Sequence, residues 1–209
     1  MVKFKESETA RNLLKAFAGE SQARNRYTFF ASVARKEGYE HIAAIFEETA
    51  GNEMEHAKIF FKHLQELGGE GLQITAEYPA GKIGTTEQNL LAAANGEKAE
   101  WGTIYPEFER IARKEGFKEI ADSFKQIKEV EERHEGRYRK LNSQVHNKKM
   151  FKEDKPGYEK EDNTVLWKCR NCGYVHTGKE APDTCPACKH PQAFYERTRN
   201  SEYGFKESK

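Results

Sequence analysis

The sequence contains itself twice. Asn12-Leu13-Leu14-x-Ala16-x-x-Gly19-Glu20 matches Asn89-Leu90-Leu91-x-Ala93-x-x-Gly96-Glu97 at an offset of 77 residues. Further on, Ala34-Arg35-Lys36-Glu37-Gly38 returns as Ala112-Arg113-Lys114-Glu115-Gly116 at an offset of 78, and 10 of the 23 positions from Ala34 to His56 equal their partners. Shared helix composition alone would give far fewer identities. A duplicated unit must bury its apolar face against its copy, which restricts the fold to an arrangement of two similar halves.

The texture of each half is helical. Leu13, Leu14 and Phe17, then Ile42, Ile45 and Phe46, recur at three- and four-residue steps. Gly38 stops a first helix and Gly68-Gly69 a second. Thr85-x-x-Gln88 reads as a capping box that opens a third helix, which Gly116 ends, and a fourth runs from about Phe117 to Val145. The corners within each pair are short, so each half is predicted to be an antiparallel hairpin. The stretch from Glu70 to Gly84 is the long crossover. Charged residues make up 33% and hydrophobic residues 36% of the chain, lean for a thick core but normal for long helices with a narrow apolar stripe. Lys plus Arg (35) nearly balances Asp plus Glu (34), so no net field argues for nucleic acid or a membrane surface. No run approaches the ~18 apolar residues of a membrane span, and MVKFKESETA lacks a signal-peptide core. A soluble, cytoplasmic protein is expected. The organisation reads as a bundle over 1–145, a polar linker over 146–164, broken by Pro156-Gly157, and a small module over 165–209.

The duplication preserves a set of polar residues. Each half offers one Glu on its first helix (Glu20, Glu97) and Glu-x-x-His on its second (Glu53 with His56, Glu131 with His134). Residues at i and i+3 share a helix face. One Glu from each of two helices plus Glu-x-x-His from the other two is the ligand set of a di-iron or di-manganese carboxylate bundle. Paired cations need carboxylates to bridge them and imidazoles to complete them. Pseudo-twofold logic makes Glu53 and Glu131 the bridges, with Glu20 and His56 on one ion and Glu97 and His134 on the other. A lone Glu-x-x-His on a charged helix is ordinary solvated surface; its second copy, behind a repeated Gly-Glu, carries the metal reading. The halves differ at Glu100, on the ligand face one turn beyond Glu97, where the other half has Ala23. The change of offset also inserts one residue between Glu97 and Ala112, a change commonly absorbed as a π-bulge, and Pro106 there removes a backbone donor. Tyr27 and Tyr105 are aligned about two turns beyond Glu20 and Glu97. Core packing and hydroxyl contact to the carboxylates are both open for them.

All four Cys lie in Cys169-x-x-Cys172-(x12)-Cys185-x-x-Cys188. Two such knuckles give four thiolates for zinc or a single iron, and spacing alone does not choose between them. Trp167, Tyr174, Phe194 and Tyr195 supply an aromatic core for a small module.

A carboxylate bundle with GESQARNRY around Glu20, followed by the knuckles CRNCGYVH and CPACKH, resembles the rubrerythrin family over about residues 5–197. The resemblance implies a mainly α protein: a ferritin-like four-helix bundle built from the duplicated hairpin, then a rubredoxin-like metal-binding β domain. It implies a peroxidase reducing hydrogen peroxide to water at a non-haem di-iron (Fe–O–Fe) centre. Electrons would pass through a mononuclear Fe(Cys)4 site from rubredoxin or an external reductase, and ultimately from NAD(P)H. Carried over by position, Glu20, Glu53, His56, Glu97, Glu100, Glu131 and His134 hold the di-iron pair, and Cys169, Cys172, Cys185 and Cys188 the single iron. His56 and Glu100 are implied to alternate on one iron between reduced and oxidised states. Glu100, Tyr27 and Tyr105 are the candidate catalytic residues. Lys189 departs from the family, standing where rubredoxins usually have Gly, which would alter hydrogen bonding to the thiolate.

Two competitors use the same residues: a ferritin-like ferroxidase handling iron, which needs neither an attached one-electron module nor Glu100, and a zinc-ribbon interaction protein. With every Cys committed to the knuckles, nucleophilic Cys chemistry is not expected, and without a Gly-rich phosphate loop NAD should not bind directly. His41, His63, His146, His176 and His190 lack a partner pattern and read as surface. Phe29, Phe30, Phe60 and Phe61 read as outer apolar positions that a homodimer would cover, with domain swapping through the 70–84 crossover left open. The polar tail from Thr198 to Lys209 is assigned no role.

Overall fold

A computed structural model of the protein describes residues 2–152 and 165–198. Most of the linker and nearly all of the polar tail lie outside the described residues. Helix α1 spans Glu8–Lys36 behind Ser7, whose side chain accepts the Ala10 N–H. Helix α2 spans Glu40–Leu64. The corner between them closes on Gly38 at φ 81° with the Tyr39 N–H on the Ala34 carbonyl. The same device recurs at Gly116 (φ 96°), where the Phe117 N–H reaches the Ala112 carbonyl. A side chain at either glycine would be forced into the left-handed region, so the repeated Lys-Glu-Gly stop has a steric cause.

Helix α3 spans Thr86–Ala99 and opens on the complete capping box of Thr85 and Gln88. A turn of π-helix follows over Glu100–Ile104, closed by the Tyr105 N–H on the Glu100 carbonyl. Helix α4 then spans Tyr105–Glu115 with Pro106 in its first turn, and α5 spans Lys118–His146. The third helix is therefore interrupted where the offset changes from 77 to 78. The bulge absorbs the extra residue, so Tyr105 takes up in its half the place Tyr27 holds in the other.

Two apolar clusters form the bundle core, and four aromatic residues of each correspond at offset 78. Tyr27, Phe30, Phe46 and Tyr138 belong to one; Tyr105, Phe108, Phe124 and Phe60 belong to the other. Phe30 and Phe60 are thus core residues and correct the expectation that they lie outside. Neighbouring positions on a helix point about 100° apart, so of each Phe-Phe pair only one enters the core, and Phe29 and Phe61 are about half exposed.

The hairpins hold one another by their ends. The Glu37 carboxylate accepts the Thr86 N–H at the start of α3 (3.0 Å), and the equivalent Glu115 accepts the Glu8 and Thr9 N–H groups at the start of α1 (3.1 and 2.9 Å). Each first helix is therefore capped by a carboxylate of the opposite hairpin, where the helix dipole also favours it.

Strands β1 (Val165–Cys169), β2 (Val175–Gly178) and β3 (Tyr195–Thr198) form an antiparallel sheet in the order β2-β1-β3. Trp167 is fully buried beside Cys169, Cys185 and Tyr195. Residues just past α5 pack rather than trail: Met150 is buried, and Phe151 stacks on Tyr39 at 6.0 Å while also touching the small module's core. His41 is not a surface histidine. It is largely covered, and its Nδ1 lies 3.9 Å from Glu196 on β3.

The crossed caps make a measurable claim. Partial burial raises the Glu115 carboxyl, but hydrogen bonds from Thr9 and Glu8 outweigh this and hold it below the usual 4.5. Its stabilisation is therefore present above that value and lost as pH falls below it. In urea unfolding, Glu115→Ala should cost about 1 kcal/mol at neutral pH. The difference from the parent should shrink as the pH drops below 4.5. An unchanged midpoint at neutral pH would remove Glu115 as a cap.

Candidate metal centres

The bundle interior gathers the polar residues that the duplication preserves. One ligand atom from each of Glu20, Glu53, His56 and Glu131 lies within 4.8 Å of the others, and the same holds for Glu53, Glu97, Glu131 and His134. Glu53 and Glu131 belong to both groups; the other four belong to one each. All six side chains are buried, the four carboxylates at 0–1% exposure. Glu100 stands beside these groups, on the first residue of the π turn and within hydrogen-bonding reach of Glu97.

Contacts run between the hairpins as well as within them. His56 Nδ1 lies 2.8 Å from Glu131, and His134 Nδ1 3.3 Å from Glu53. Tyr27 donates its hydroxyl to Glu97 and Tyr105 donates its own to Glu20, each again across the pseudo-twofold. Both tyrosines are thus core residues and carboxylate partners at once. Each Tyr–Glu bond fixes one carboxylate oxygen and leaves Oε2 of Glu20 and of Glu97 buried without a partner.

The unpartnered atoms test whether cations fit. Besides those two oxygens, Glu53 Oε1, both oxygens of Glu131 and His134 Nδ1 are buried without a hydrogen bond. His134 Nδ1 lies 2.7 Å from Glu131 Oε2 and still lacks hydrogen-bond direction to it. Short distance without direction is what groups aimed at a common ion show. The charges agree. Burial pulls both imidazoles down, yet Glu131 and its neighbours outweigh it, raising His56 strongly and His134 to about 9. Burial and then Glu53 push Glu20 and Glu97 well above the carboxylate range. Burial also raises Glu53, but the imidazoles of His134 and His56 beside it take it down to about 2. Burial, Glu131 and Glu53 push Glu100 up to about 8. Two divalent cations would balance these buried carboxylates. The residues fit a metal pair.

The four cysteines lie within 4.8 Å of one another. Cys169 and Cys188 have sulfurs 3.7 Å apart, as do Cys172 and Cys185. A disulfide needs about 2.05 Å, whereas sulfurs about 2.3 Å from a tetrahedral centre are roughly 3.8 Å apart. The knuckles are equivalent. Cys169 receives the N–H groups of Cys172 and Asn171, and Cys185 those of Cys188 and Ala187. Tyr174 bonds Cys172 and His190 bonds Cys188 in the same way, and for Cys188 this N–H takes the thiol down to about 5. Lys189 does not disturb the pattern: at φ 62° it takes the left-handed place that Gly173 takes in the first knuckle. Its N–H reaches the Cys185 carbonyl as that of Gly173 reaches Cys169.

The motifs do not single out Tyr78, and Arg26 enters only as part of GESQARNRY. Tyr78 Oη donates to the Lys15 carbonyl at 2.8 Å and Arg26 to the Pro79 carbonyl at 3.4 Å, tying the crossover to α1. The crossover is not part of the repeat, so the offset is silent about it. The one cue is that Tyr78 is its sole aromatic residue.

Comparison with known proteins agrees with this geometry. The rubrerythrin family model matches residues 11–142, and that of the rubrerythrin rubredoxin-like domain matches 167–196. A rubrerythrin of Porphyromonas gingivalis is 56% identical over 92% of this chain and 90% of its own, and one of Nitratidesulfovibrio vulgaris is 47% identical over 94% and 97%. Among solved structures, nigerythrin in a mixed-valence state superposes with a TM-score of 0.58 at 31% identity, covering 95% of this chain and 92% of that one. A Desulfovibrio desulfuricans bacterioferritin with a di-iron site gives 0.61 at 25% identity over 71% and 87%.

The sharing of carboxylates sets an expected metal count. Glu97→Ala should leave one tight Fe(II) site in the bundle, because Glu97 belongs to one group only. Glu131→Ala should abolish tight binding of both ions. Anaerobic Fe(II) titration by calorimetry checks this; two tight ions in Glu131→Ala would break the shared-carboxylate geometry.

Proposed function

The chain belongs to the rubrerythrin family, and on that premise we propose that it reduces hydrogen peroxide to water at the bundle's di-iron site, with electrons relayed through the four-cysteine iron. The Glu/His cluster is the di-iron site of a ferritin-like domain, and the cysteines form a rubredoxin-like iron site. The observation that carries the reading is the attachment of a one-electron centre to this bundle. The balance is H2O2 + 2 H+ + 2 e− → 2 H2O, and the iron pair, when bound, supplies both electrons.

The chain's own residues supply the rest. Tyr27 and Tyr105 keep their protons, because burial and then the carboxylates Glu97 and Glu20 push their hydroxyls well above 10. They therefore remain donors that hold Glu97 and Glu20 in place. Glu100 is the carboxyl best suited to carry a proton, since it stands outside both four-residue groups and burial favours its protonated form. It is also the anionic alternate to neutral His56 when the site must balance more positive charge. The electron source is an external NAD(P)H-linked reductase or rubredoxin, and four cysteines gathered as metal ligands without a disulfide suit a reducing cytoplasm. The assembly is a homodimer that covers Phe29, Met54, Ile59 and Phe61, the exposed apolar side chains of α1 and α2. No described helix is long and apolar enough to cross a membrane.

A second reading, iron oxidation for storage, draws on the likeness to bacterioferritin. The two separate on the cysteine module. Cys172→Ser should leave two Fe(II) bound in the bundle, because the two sites have independent ligands, yet abolish NADH-coupled peroxide turnover. Full coupled turnover in that variant would refute the relay. Glu100→Ala should still bind two Fe(II) but oxidise more slowly on stopped-flow mixing with peroxide. Parent rates would leave Glu100 without a role in the reaction.

A further inference from the structure

The cluster is not sealed evenly. Glu20, Glu53, Glu97 and Glu131 are closed to solvent, whereas Glu100 is only partly buried as a residue, its carboxyl lying inside the bundle. The crossover meets α1 beside that residue. Its bonds from Tyr78 to the Lys15 carbonyl and from Arg26 to Pro79 pin it to α1 on both sides of Gly19. A Cβ at Gly19 would stand 3.7 Å from Tyr78 Cε1 and 4.0 Å from Glu100 Oε1. The missing side chain therefore leaves a narrow gap bounded by the tyrosine ring, the helix backbone and a carboxyl oxygen.

The duplicated half provides a comparison inside the same molecule. Gly96 matches Gly19, but a Cβ there would meet nothing within 4 Å, and Ala23 stands where Glu100 would. Ring, gap and carboxyl occur together on one side only.

We propose that the gap between Gly19, Tyr78 and Glu100 is the passage by which peroxide reaches the metal pair, and that Tyr78 determines the size of peroxide admitted. The inference rests on the peroxidase reading and adds a specificity residue to it. A molecule of two oxygens fits past a ring edge and can hydrogen-bond to the carboxyl and backbone it meets. A hydroperoxide carrying an aryl or branched alkyl group meets the tyrosine ring. Such a substrate would follow the same balance, ROOH + 2 H+ + 2 e− → ROH + H2O, so that only passage distinguishes the two.

The test compares the iron-loaded full chain with Tyr78→Ala, Tyr78→Phe and Gly19→Ala. Two quantities are measured: kcat/KM for cumene hydroperoxide relative to hydrogen peroxide, and the release of Mn(II) from the Mn-loaded bundle to EDTA, followed by electron paramagnetic resonance. Tyr78→Ala should raise the cumene-to-hydrogen-peroxide ratio about tenfold or more and speed Mn(II) release. Tyr78→Phe keeps the ring and should stay near the parent in both. Gly19→Ala, whose methyl group meets ordinary contacts, should lower kcat/KM for hydrogen peroxide and slow Mn(II) release. A Tyr78→Ala protein with the parent's substrate ratio overturns the assignment whether or not its metal release changes. If the parent reduces no peroxide while metal release still follows the Tyr78 and Gly19 series, the peroxidase reading fails and the passage stands.

Discussion

Five carboxyl groups and two imidazoles gathered in the middle of a helix bundle cannot all keep the charges they carry in water. Burial raises Glu20 and Glu97, while Glu53 stays ionised only because His134 and His56 are beside it. Such a core is a liability by itself, since each unpaired buried charge costs several kcal/mol. Divalent cations remove the conflict by replacing protons, and much of the bundle can be read as scaffolding for that exchange. The tyrosine hydroxyls fix one oxygen of each terminal carboxylate, and the aromatic clusters hold those tyrosines.

Besides the Glu-x-x-His contacts within each helix, the site has a set of contacts that join one hairpin to the other. Tyr27 serves Glu97, Tyr105 serves Glu20, His56 faces Glu131 and His134 faces Glu53. The caps follow the same rule at the helix ends. Neither half has a complete set of partners, so formation of the metal site and docking of the halves are one event. This also explains why the π turn matters. Without it, the residue gained in the second half would rotate Tyr105 away from Glu20.

Much of this was legible in the residues themselves. The repeat exposed the ligands, because two copies of Glu-x-x-His behind two copies of Gly-Glu cannot be read as ordinary helix surface. The offset change located the π turn, and the cysteine spacing located the second centre. The partners across the twofold were not legible. An offset says which residues are equivalent, not which hairpin they face, so the crossed Tyr–Glu bonds and crossed caps needed coordinates. Adjacent phenylalanines look alike until the helix phase is fixed, so the residues alone do not separate buried Phe30 and Phe60 from exposed Phe29 and Phe61. The neighbour of His41 is Glu196, remote in sequence, which no local pattern announces. Tyr78 stayed hidden in a segment with neither period nor repeat.

The reciprocal incompleteness of the hairpins has a consequence for how such a chain could arise and diverge. Two separate copies of one hairpin would complete each other about a true twofold, but only at concentrations high enough to bring them together. The crossover from Glu70 to Gly84 replaces that bimolecular step with an intramolecular one, at an effective concentration on the order of millimolar. Covalent joining also frees each half from matching the other. A residue can be gained on one side alone, as Glu100 is, and the tether can be recruited to the surface it spans. A symmetric pair of hairpins would present two identical faces to incoming molecules. The fused chain can present one.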